Sequence, residues 1–214
     1  MLIPNGVDTT LFRPDIEAVP LTGLKQEEGR KVVLFVGKMT KYYCLDLIIE
    51  AIPLVRQAYP EATFVFIGDG DDQLRLRQLC RQKKILAAVV FTGFKLYSEI
   101  PRCIARADVC VFPLPDSSAL ALFEYMACGK ATVIPNFHTD KMGVANDLIP
   151  DSCVIKVDNS PTGIAHGINL LLENENLRKR IGSAARRRVE RDFDWDALSF
   201  DYEAALARVS DEYV

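Results

Sequence analysis

The chain has 214 residues, 49% hydrophobic and 26% charged, which suits a globular protein with one large α/β domain or two small ones. A net charge of −3 gives no broad basic field, so nucleic acid is not an expected partner. No apolar run approaches the ~20 residues that span a bilayer, and no secretory signal is visible. We therefore expect a cytoplasmic protein.

Six short apolar runs predict six strands, each closed by glycine, proline or a polar residue. They lie at residues 32–36, 63–67, 89–92, 109–112, 131–134 and 153–157. Runs that are apolar on both faces are typical of a parallel sheet covered on both sides.

Apolar residues at helical spacing predict helices between these strands. They lie at 45–59, 73–83, 98–106, 119–128, 161–172, 176–193 and 194–209. Pro53 is expected to break or kink the first helix, and Ser98 to cap the third. The acids Asp69, Asp71 and Asp72 are expected to cap the second. The alternation predicts an α/β fold with a doubly wound, mostly parallel six-stranded Rossmann-type sheet.

The six cysteines form no C-x-x-C pair, and the two histidines, His138 and His166, are far apart in sequence. We expect buried thiols in a reducing compartment, with neither a disulfide framework nor a metal site.

Ligands of such a sheet bind at the carboxyl ends of its strands, so the loops there are the candidate site. Three of them begin with Gly37, Gly68 and Gly93. A glycine there either relieves a tight turn or leaves backbone amides open to a phosphate. At any one loop, the sequence does not decide between the turn and the phosphate site.

The loop after the fourth strand carries Asp116, Ser117 and Ser118, which are good helix-capping residues. The following helix is apolar except for Glu124, whose carboxylate needs a partner if it is buried. The two hydroxyls of a ribose would each donate to one carboxylate oxygen. The alternative is an ion pair between Glu124 and an arginine or lysine elsewhere in the core.

The start of this helix is a candidate phosphate site. The backbone amides of Ser118, Ala119 and Leu120 lie at the positive end of the helix dipole, where they could bind a diphosphate. Asp116 would then lie near the group attached beyond the phosphates.

Taken in order, these segments resemble the C-terminal domain of family 4 retaining glycosyltransferases, which have the two-Rossmann-domain (GT-B) architecture. The similarity covers almost the whole chain. It rests on an interdomain signature at 3–14, a first strand, loop and helix at 36–38 and 45–51, strand ends at 66–70 and 91–93, a donor-site motif at 107–113 and 124–130, and a tail at 193–195.

The resemblance implies that the protein transfers a hexosyl group from a UDP- or GDP-linked sugar, with retention of configuration. The acceptor would be a glycan, a lipid or a small molecule. The nucleotide sugar would be a co-substrate, and the reaction would need no metal and no other cofactor.

The resemblance also implies roles for individual residues. Glu124 would bind the ribose, and Asp116 would contact the transferred sugar as a catalytic residue. Lys38, beside Gly37, would neutralise the diphosphate and assist its departure. The backbone around Phe94 and Lys95 would face the base.

Several positions depart from the family pattern. Lys38 stands where the family has arginine, and Asp116 stands where it has glutamate. Tyr43 aligns with a second lysine, which leaves Lys41 as the nearby cation. Ala121 replaces a lysine found in some relatives. These changes bear on donor affinity and turnover, since lysine cannot make the bidentate contacts of arginine.

By the same resemblance, residues 1–14 are an interdomain linker and the start of the domain. Residues 15–193 form the nucleotide-sugar-binding domain, and residues 194–214 form a helix that packs back on an N-terminal domain. We expect that domain, or a partner subunit, to complete the enzyme, and the isolated chain to transfer nothing. The basic segment 178–191 predicts a solvated face, with peripheral contact to an anionic membrane as the alternative.

Two other functions compete. A nicotinamide- or flavin-dependent enzyme needs G-x-G-x-x-G after the first strand, whereas residues 37–41 read GKMTK. A non-catalytic interaction or regulatory module on the same scaffold is favoured by Tyr43 and Ala121.

Overall fold

The structure is a computed structural model that describes residues 4–21, 29–113, 119–136 and 149–212. Its six strands form one parallel sheet in the order β3-β2-β1-β4-β5-β6, which confirms the doubly wound prediction. The strands are β1 (Val32–Val36), β2 (Thr63–Ile67), β3 (Val89–Gly93), β4 (Val109–Val111), β5 (Thr132–Asn136) and β6 (Ile155–Asp158).

Helices cover both faces of this sheet. In the described residues they are α1 (Leu45–Ala58), α2 (Gln73–Gln82), α3 (Ile100–Ala105), α4 (Leu120–Ala127), α5 (Pro161–Glu173), α6 (Glu175–Asp192) and α7 (Trp195–Glu212). Short 3₁₀ turns lie at Lys41–Tyr43, Leu86–Ala88 and Tyr97–Glu99.

The two faces of β1 belong to two separate hydrophobic cores. Val32 and Leu34 pack in a core that includes α3 and α4, whereas Val33 and Phe35 pack in a core that includes α1, α2 and α5. Successive side chains of a strand point to opposite faces, so a strand buried on both sides is a continuous apolar run.

Two predictions of helix caps are wrong, and Pro53 does not break its helix. Pro53 lies inside α1 without ending it, because the apolar stripe of that helix remains buried along its length. Ser98 lies within a 3₁₀ turn and caps nothing. The carboxylate of Glu99 instead accepts the Leu96 amide at 2.9 Å. Asp72 is the N-cap residue of α2, but its carboxylate binds Arg75 and makes no capping hydrogen bond.

The bond between Asp72 and Arg75 explains why no acid caps α2. Two contacts of 2.6 Å join the guanidinium and the carboxylate, and they hold the pKa of Asp72 below its usual value. A charge-assisted bidentate pair is stronger than a bond to a neutral amide. The carboxylate is therefore engaged one turn into the helix.

Glycines allow the loops after β1 and β2 to touch through their backbones. A Cβ on Gly68, whose φ is +124°, would lie 2.1 Å from the Gly37 carbonyl oxygen. A Cβ on Gly70 would lie 2.1 Å from the Met39 oxygen. The Met39 amide donates to the Asp69 carbonyl at 2.9 Å. Gly68 and Gly70 thus serve close backbone approach, as the tight-turn explanation expects for Gly68.

The segment from residue 4 to residue 12 is bound to the C-terminal helices. The guanidinium of Arg186 donates to the carbonyl oxygens of Phe12 at 2.6 Å, Ala127 at 2.7 Å and Thr9 at 3.1 Å. The Thr9 hydroxyl donates to Asp194 at 2.5 Å. One arginine of α6 therefore joins this segment to the end of α4.

Four cations of the basic segment, Arg186 among them, form salt bridges within α6. The pairs are Lys179 with Glu175, Arg186 with Glu190, and both Arg188 and Arg191 with Asp192. This pairing favours the solvated-face interpretation. In the part of the chain that the structure describes, no helix combines the length and apolarity needed to cross a bilayer.

All six cysteines lie in described segments and are free thiols, and five of them are buried. The described residues bring no three metal-binding side chains of His, Cys, Asp or Glu together. His138 lies outside the described residues.

Candidate functional site

Two adjacent cavities open at the carboxyl edge of the sheet, where the sequence predicts the site. The Lys38 cavity holds about 310 Å³ and is lined by Val36, Gly37, Lys38, Ile67, Gly68, Asp69, Phe94, Lys95 and Ile100. The Glu124 cavity holds about 300 Å³ and is lined by Val36, Gly37, Tyr43, Tyr97, Ile100, Phe112, Leu120, Ala121 and Glu124.

Three residues, Val36, Gly37 and Ile100, line both cavities, so the two are neighbours at the end of β1 and are together called the groove below. Most of the predicted residues that the structure describes meet there. Gly37, Lys38, Phe94 and Lys95 line the first cavity, and Leu120 and Glu124 line the second.

Other predicted residues lie elsewhere. Lys41 is exposed on its 3₁₀ turn and lines neither cavity, and its charge acts on Asp72. Ala119 is buried in the left-handed region, at φ 47°, directly before α4. Asp116, Ser117 and Ser118 lie outside the described residues.

Glu124 is the one acid among the buried residues of α4, and it is 5% exposed. The described residues place no lysine or arginine in a salt bridge with it, so the alternative of an ion pair finds no support there. The Tyr97 side chain lines the same cavity. Burial raises the pKa of Glu124 to about 7, and the neighbouring Tyr97 hydroxyl partly opposes this rise.

A carboxylate with this environment can accept hydrogen bonds from a ligand. An ionised carboxylate has about four lone-pair positions, and these can accept from a ligand in the cavity. A neighbouring pair of hydroxyls fits such an acceptor, because each hydroxyl can donate to one oxygen.

Two tyrosines of the site are not predicted from the sequence. Tyr97 is half exposed, and its ring meets the edge of Phe12 at a centroid distance of 5.3 Å. Tyr125 is fully buried, and its hydroxyl accepts from the Val36 amide at 2.6 Å. An aromatic hydroxyl next to a predicted ligand loop or a predicted acid is the signal that could have identified them.

The Lys38 cavity has the charge that an anionic group needs. It contains two cations, Lys38 and Lys95, and one acid, Asp69. The Asp69 carboxylate accepts the Gly70 amide at 2.8 Å. Phe94 presents an aromatic side chain that is 75% exposed, a surface on which a planar base can stack.

Comparison with known proteins identifies the family. Residues 23–188, well over half of the chain, match the family model described as Glycosyl transferases group 1. The chain belongs to this family. Its sequence is 27% identical over 199 residues to a Mycobacterium tuberculosis glycogen synthase, an alignment that covers 92% of this chain and 47% of that protein. The chain thus spans about half the length of the curated relatives it matches.

Solved structures show the same fold as this group 1 glycosyltransferase chain. Anabaena Alr3699/HepE, crystallised with UDP and glucose, matches with a TM-score of 0.79 at 22% identity, over 96% of this chain and 56% of its own. The C-terminal domain of a glycosyl transferase group 1 family protein from Francisella tularensis matches with a TM-score of 0.70 at 23% identity. That match covers 89% of this chain and 100% of the Francisella chain.

Proposed function

We propose that this chain binds the nucleotide-diphospho-sugar donor, UDP- or GDP-linked, of a retaining hexosyltransferase. The observation that carries the proposal is the Glu124 carboxylate, which is buried, has no cation partner among the described residues, and faces a cavity beside a lysine-lined one. Family membership and the UDP bound to Alr3699/HepE support the choice of ligand.

The groove suggests an order for the parts of the donor. In this proposal the ribose lies against Glu124 and the base lies near Phe94 and Lys95. The diphosphate then lies between Lys38 and the first amides of α4, at Ala119 and Leu120. Lysine and a helix N-terminus both favour the negative charge that grows on a departing diphosphate.

The remaining roles stay predictions for residues that the described groove does not include. Asp116 would contact the transferred sugar, and Ser117 and Ser118 would donate to the phosphates. Lys41 would supply a second positive charge if its side chain turns from Asp72 toward the ligand. The proposal includes no metal ion and no cofactor beyond the donor.

The complete enzyme would also need an acceptor site. We propose that an N-terminal domain or a partner subunit supplies it, and that the acceptor is a glycan, a lipid or a small molecule. Residues 1–14 would link the two parts, and 194–214 would pack on the other part. Trp195 and Phe200 of α7 are exposed large apolar side chains that suit such a contact. A cytoplasmic location, with peripheral membrane contact as an alternative, is part of the same proposal.

A second candidate is a non-catalytic or regulatory module of the same fold. Tyr43 lines the Glu124 cavity at the position where the family pattern has a lysine, so this wall offers a phenol instead of a positive charge. Fewer cations around a diphosphate mean weaker binding and a poorer leaving group. A module of this kind would bind neither nucleotide.

Thermal unfolding with UDP, GDP and their glucose and mannose conjugates tests the proposal. Ligand at one hundred times Kd stabilises the folded state by about 2.7 kcal/mol, which raises the Tm of a chain of this size by several degrees. We expect one nucleotide series to produce this shift, and Glu124→Ala to abolish it. The matched control Glu173→Ala alters an exposed acid of α5 and should retain the shift. No response to either series would support the module, and robust sugar transfer by the chain alone would contradict the need for a second part.

A further inference from the structure

The sheet has a gap between the carboxyl ends of β1 and β4. Strand β1 is paired with β2 as far as Val36, whereas its pairing with β4 ends at Leu34. Strand β4 continues beside β5, since the Phe112 amide donates to the Val133 carbonyl at 3.0 Å. Val36 and Phe112 both line the Glu124 cavity, which therefore lies across this gap. The strand order reverses at the same place, and ligands of doubly wound sheets bind at such a point.

A side chain occupies the place of the missing strand at the end of β1. A strand without a neighbour leaves backbone groups that need other partners. The Tyr125 hydroxyl accepts from the Val36 amide at 2.6 Å and donates to the Val36 carbonyl at 3.3 Å. The next amide, that of Gly37, donates toward β2, to the Ile67 carbonyl at 3.0 Å. The end of β1 is thus held by β2 on one side and by Tyr125 on the other.

Tyr125 is suited to serve both backbone groups at once. It is fully buried on α4, and burial raises its pKa well above the ordinary value. The hydroxyl therefore stays protonated, so it can donate one hydrogen bond and accept another. Glu124 precedes it on the helix, and consecutive helical side chains point about 100° apart. One turn of α4 thus directs an acid into the cavity and a hydroxyl onto β1.

We propose that Tyr125 is a positioning residue for the donor, whose hydroxyl fixes the end of β1 against α4 and so sets the separation between Lys38 and Glu124. Val36 and Gly37 line both cavities, so a displacement of this strand end would alter both. A ligand that contacts both cavities binds more tightly when their separation is fixed beforehand. The effect on the donor rests on the proposed function, whereas the anchoring of β1 depends on the protein alone.

The variant Tyr125→Phe tests the anchoring, because it keeps the ring and removes only the hydroxyl. In the ligand-free chain, hydrogen exchange of the Val36 amide should accelerate at least about ten-fold more than that of Val65 in the middle of β2. Ile168→Val is the matched control. It removes one methylene from the hydrophobic core on the other face of the sheet, so it lowers stability without touching the groove. We expect it to leave the ratio of the two exchange rates unchanged.

Binding of UDP, or of GDP if that series binds, tests the positioning. The affinity of Tyr125→Phe should be about ten-fold weaker than that of the wild type, at a temperature where all three proteins are folded. Ile168→Val should bind like the wild type. A less stable Tyr125→Phe with wild-type affinity would overturn the proposal, because the hydroxyl would then serve stability alone. An unchanged ratio of Val36 to Val65 exchange in Tyr125→Phe would also overturn it.

The two readouts separate this proposal from the proposed function. If the wild type binds neither nucleotide while Val36 loses its protection in Tyr125→Phe, the proposed function fails and the anchoring of β1 stands.

A measurement on the wild type covers the case in which Tyr125→Phe fails to fold. The Val36 amide should be equally protected with and without nucleotide, because the anchor is present before the ligand arrives. Protection that develops only when UDP or GDP is added would overturn the proposal. So would a Val36 amide that exchanges, in the ligand-free chain, as fast as the amide of the exposed Phe94.

Discussion

At the scale of single residues, Glu124 links ligand binding to folding stability. Its pKa is about 7 in the folded chain, above the ordinary value of 4.5. Between these two values the folded state keeps a proton that the unfolded state has lost. Stability must then fall as pH rises through this window, by roughly 3 kcal/mol from this one group.

Glu124→Gln should remove that pH dependence. Glutamine resembles the protonated acid in shape and has no charge to bury, so we expect the variant and the wild type to be similarly stable at pH 5. At pH 8 the variant should be more stable by roughly 1–3 kcal/mol. Urea unfolding at both pH values measures the difference. The exposed Glu173→Gln should show no such divergence, and an equal gain for Glu124→Gln at pH 5 and pH 8 would contradict the explanation.

At the scale of elements, close contact between backbones decides how α6 packs. A Cβ on Gly182 of α6 would lie 2.0 Å from the carbonyl oxygen of Gly129, which directly follows α4 and Cys128. Gly129 itself has a φ of +65° and ends the helix as a left-handed residue. The two glycines thus allow α6 to lie against the C-terminal end of the helix that carries Glu124.

Gly182→Ala tests that packing through the sign of its effect. Alanine usually stabilises a helix interior relative to glycine by up to about 1 kcal/mol. Here the added methyl group meets a backbone oxygen that cannot move alone, so we expect a net loss of roughly 1–3 kcal/mol. Chemical unfolding compares it with Ser183→Ala, an exposed neighbour on α6 that should be neutral or slightly stabilising. A stabilised Gly182→Ala would show that α6 shifts freely.

The sequence predicts the strands well because their signal is local and strong. Every residue of β2 is buried, so its apolar run marks both of its ends. Helix starts were predicted less well, because neighbouring groups bind the acids that were expected to cap. The Asp72 carboxylate is bound by Arg75. The Glu99 carboxylate accepts the Leu96 amide at the start of the 3₁₀ turn, and neither Ser98 nor Glu99 caps α3 through its side chain. A propensity for capping cannot show which competing donor a folded neighbour will present.

The candidate site also has features that local sequence patterns predict and features that depend on tertiary contacts. A single acid in an apolar helix predicts that Glu124 is buried. Glycines directly after strands predict that the site lies at the carboxyl edge of the sheet. The bond between Tyr125 and Val36 joins residues 89 positions apart, so no local pattern shows it. Tyr97 likewise comes to line one cavity with Glu124, and to pack on Phe12, only after the chain has folded. Its position depends on where three separate segments meet.

At the scale of the whole molecule, the N-terminal segment is part of the folded unit. Val7 and Phe12 are fully buried in the same core as α4 and α6. The Val7 amide donates to the Phe193 carbonyl at 2.8 Å, and Thr9 is bonded to Asp194. Residues near both ends of the described chain therefore stabilise each other.

Removal of residues 1–14 should weaken the fold even though the sheet is left intact. Exposing the space vacated by Val7 and Phe12 should cost roughly 3–6 kcal/mol, from lost burial of one small and one large side chain. Loss of the Phe12 and Thr9 carbonyls also leaves Arg186 without two of its acceptors. Urea unfolding of the shortened and full chains measures the cost. Equal midpoints and slopes would show that the segment is merely attached.

The loops after β1 and β2 touch through backbone atoms of Gly37, Met39, Gly68 and Gly70. These contacts limit the positions at which substitutions in descendants of this sequence could change the preferred donor nucleotide. No side chain can be added at Gly68 or Gly70 without pushing the neighbouring loop away. Phe94, Leu96 and Tyr97 carry exposed side chains in the loop after β3 and meet no such obstacle. A library randomised across these loops should recover glycine at 68 and 70 and varied residues at 94 and 96. New nucleotide preferences should therefore arise in the loop after β3, while the loops after β1 and β2 remain nearly invariant.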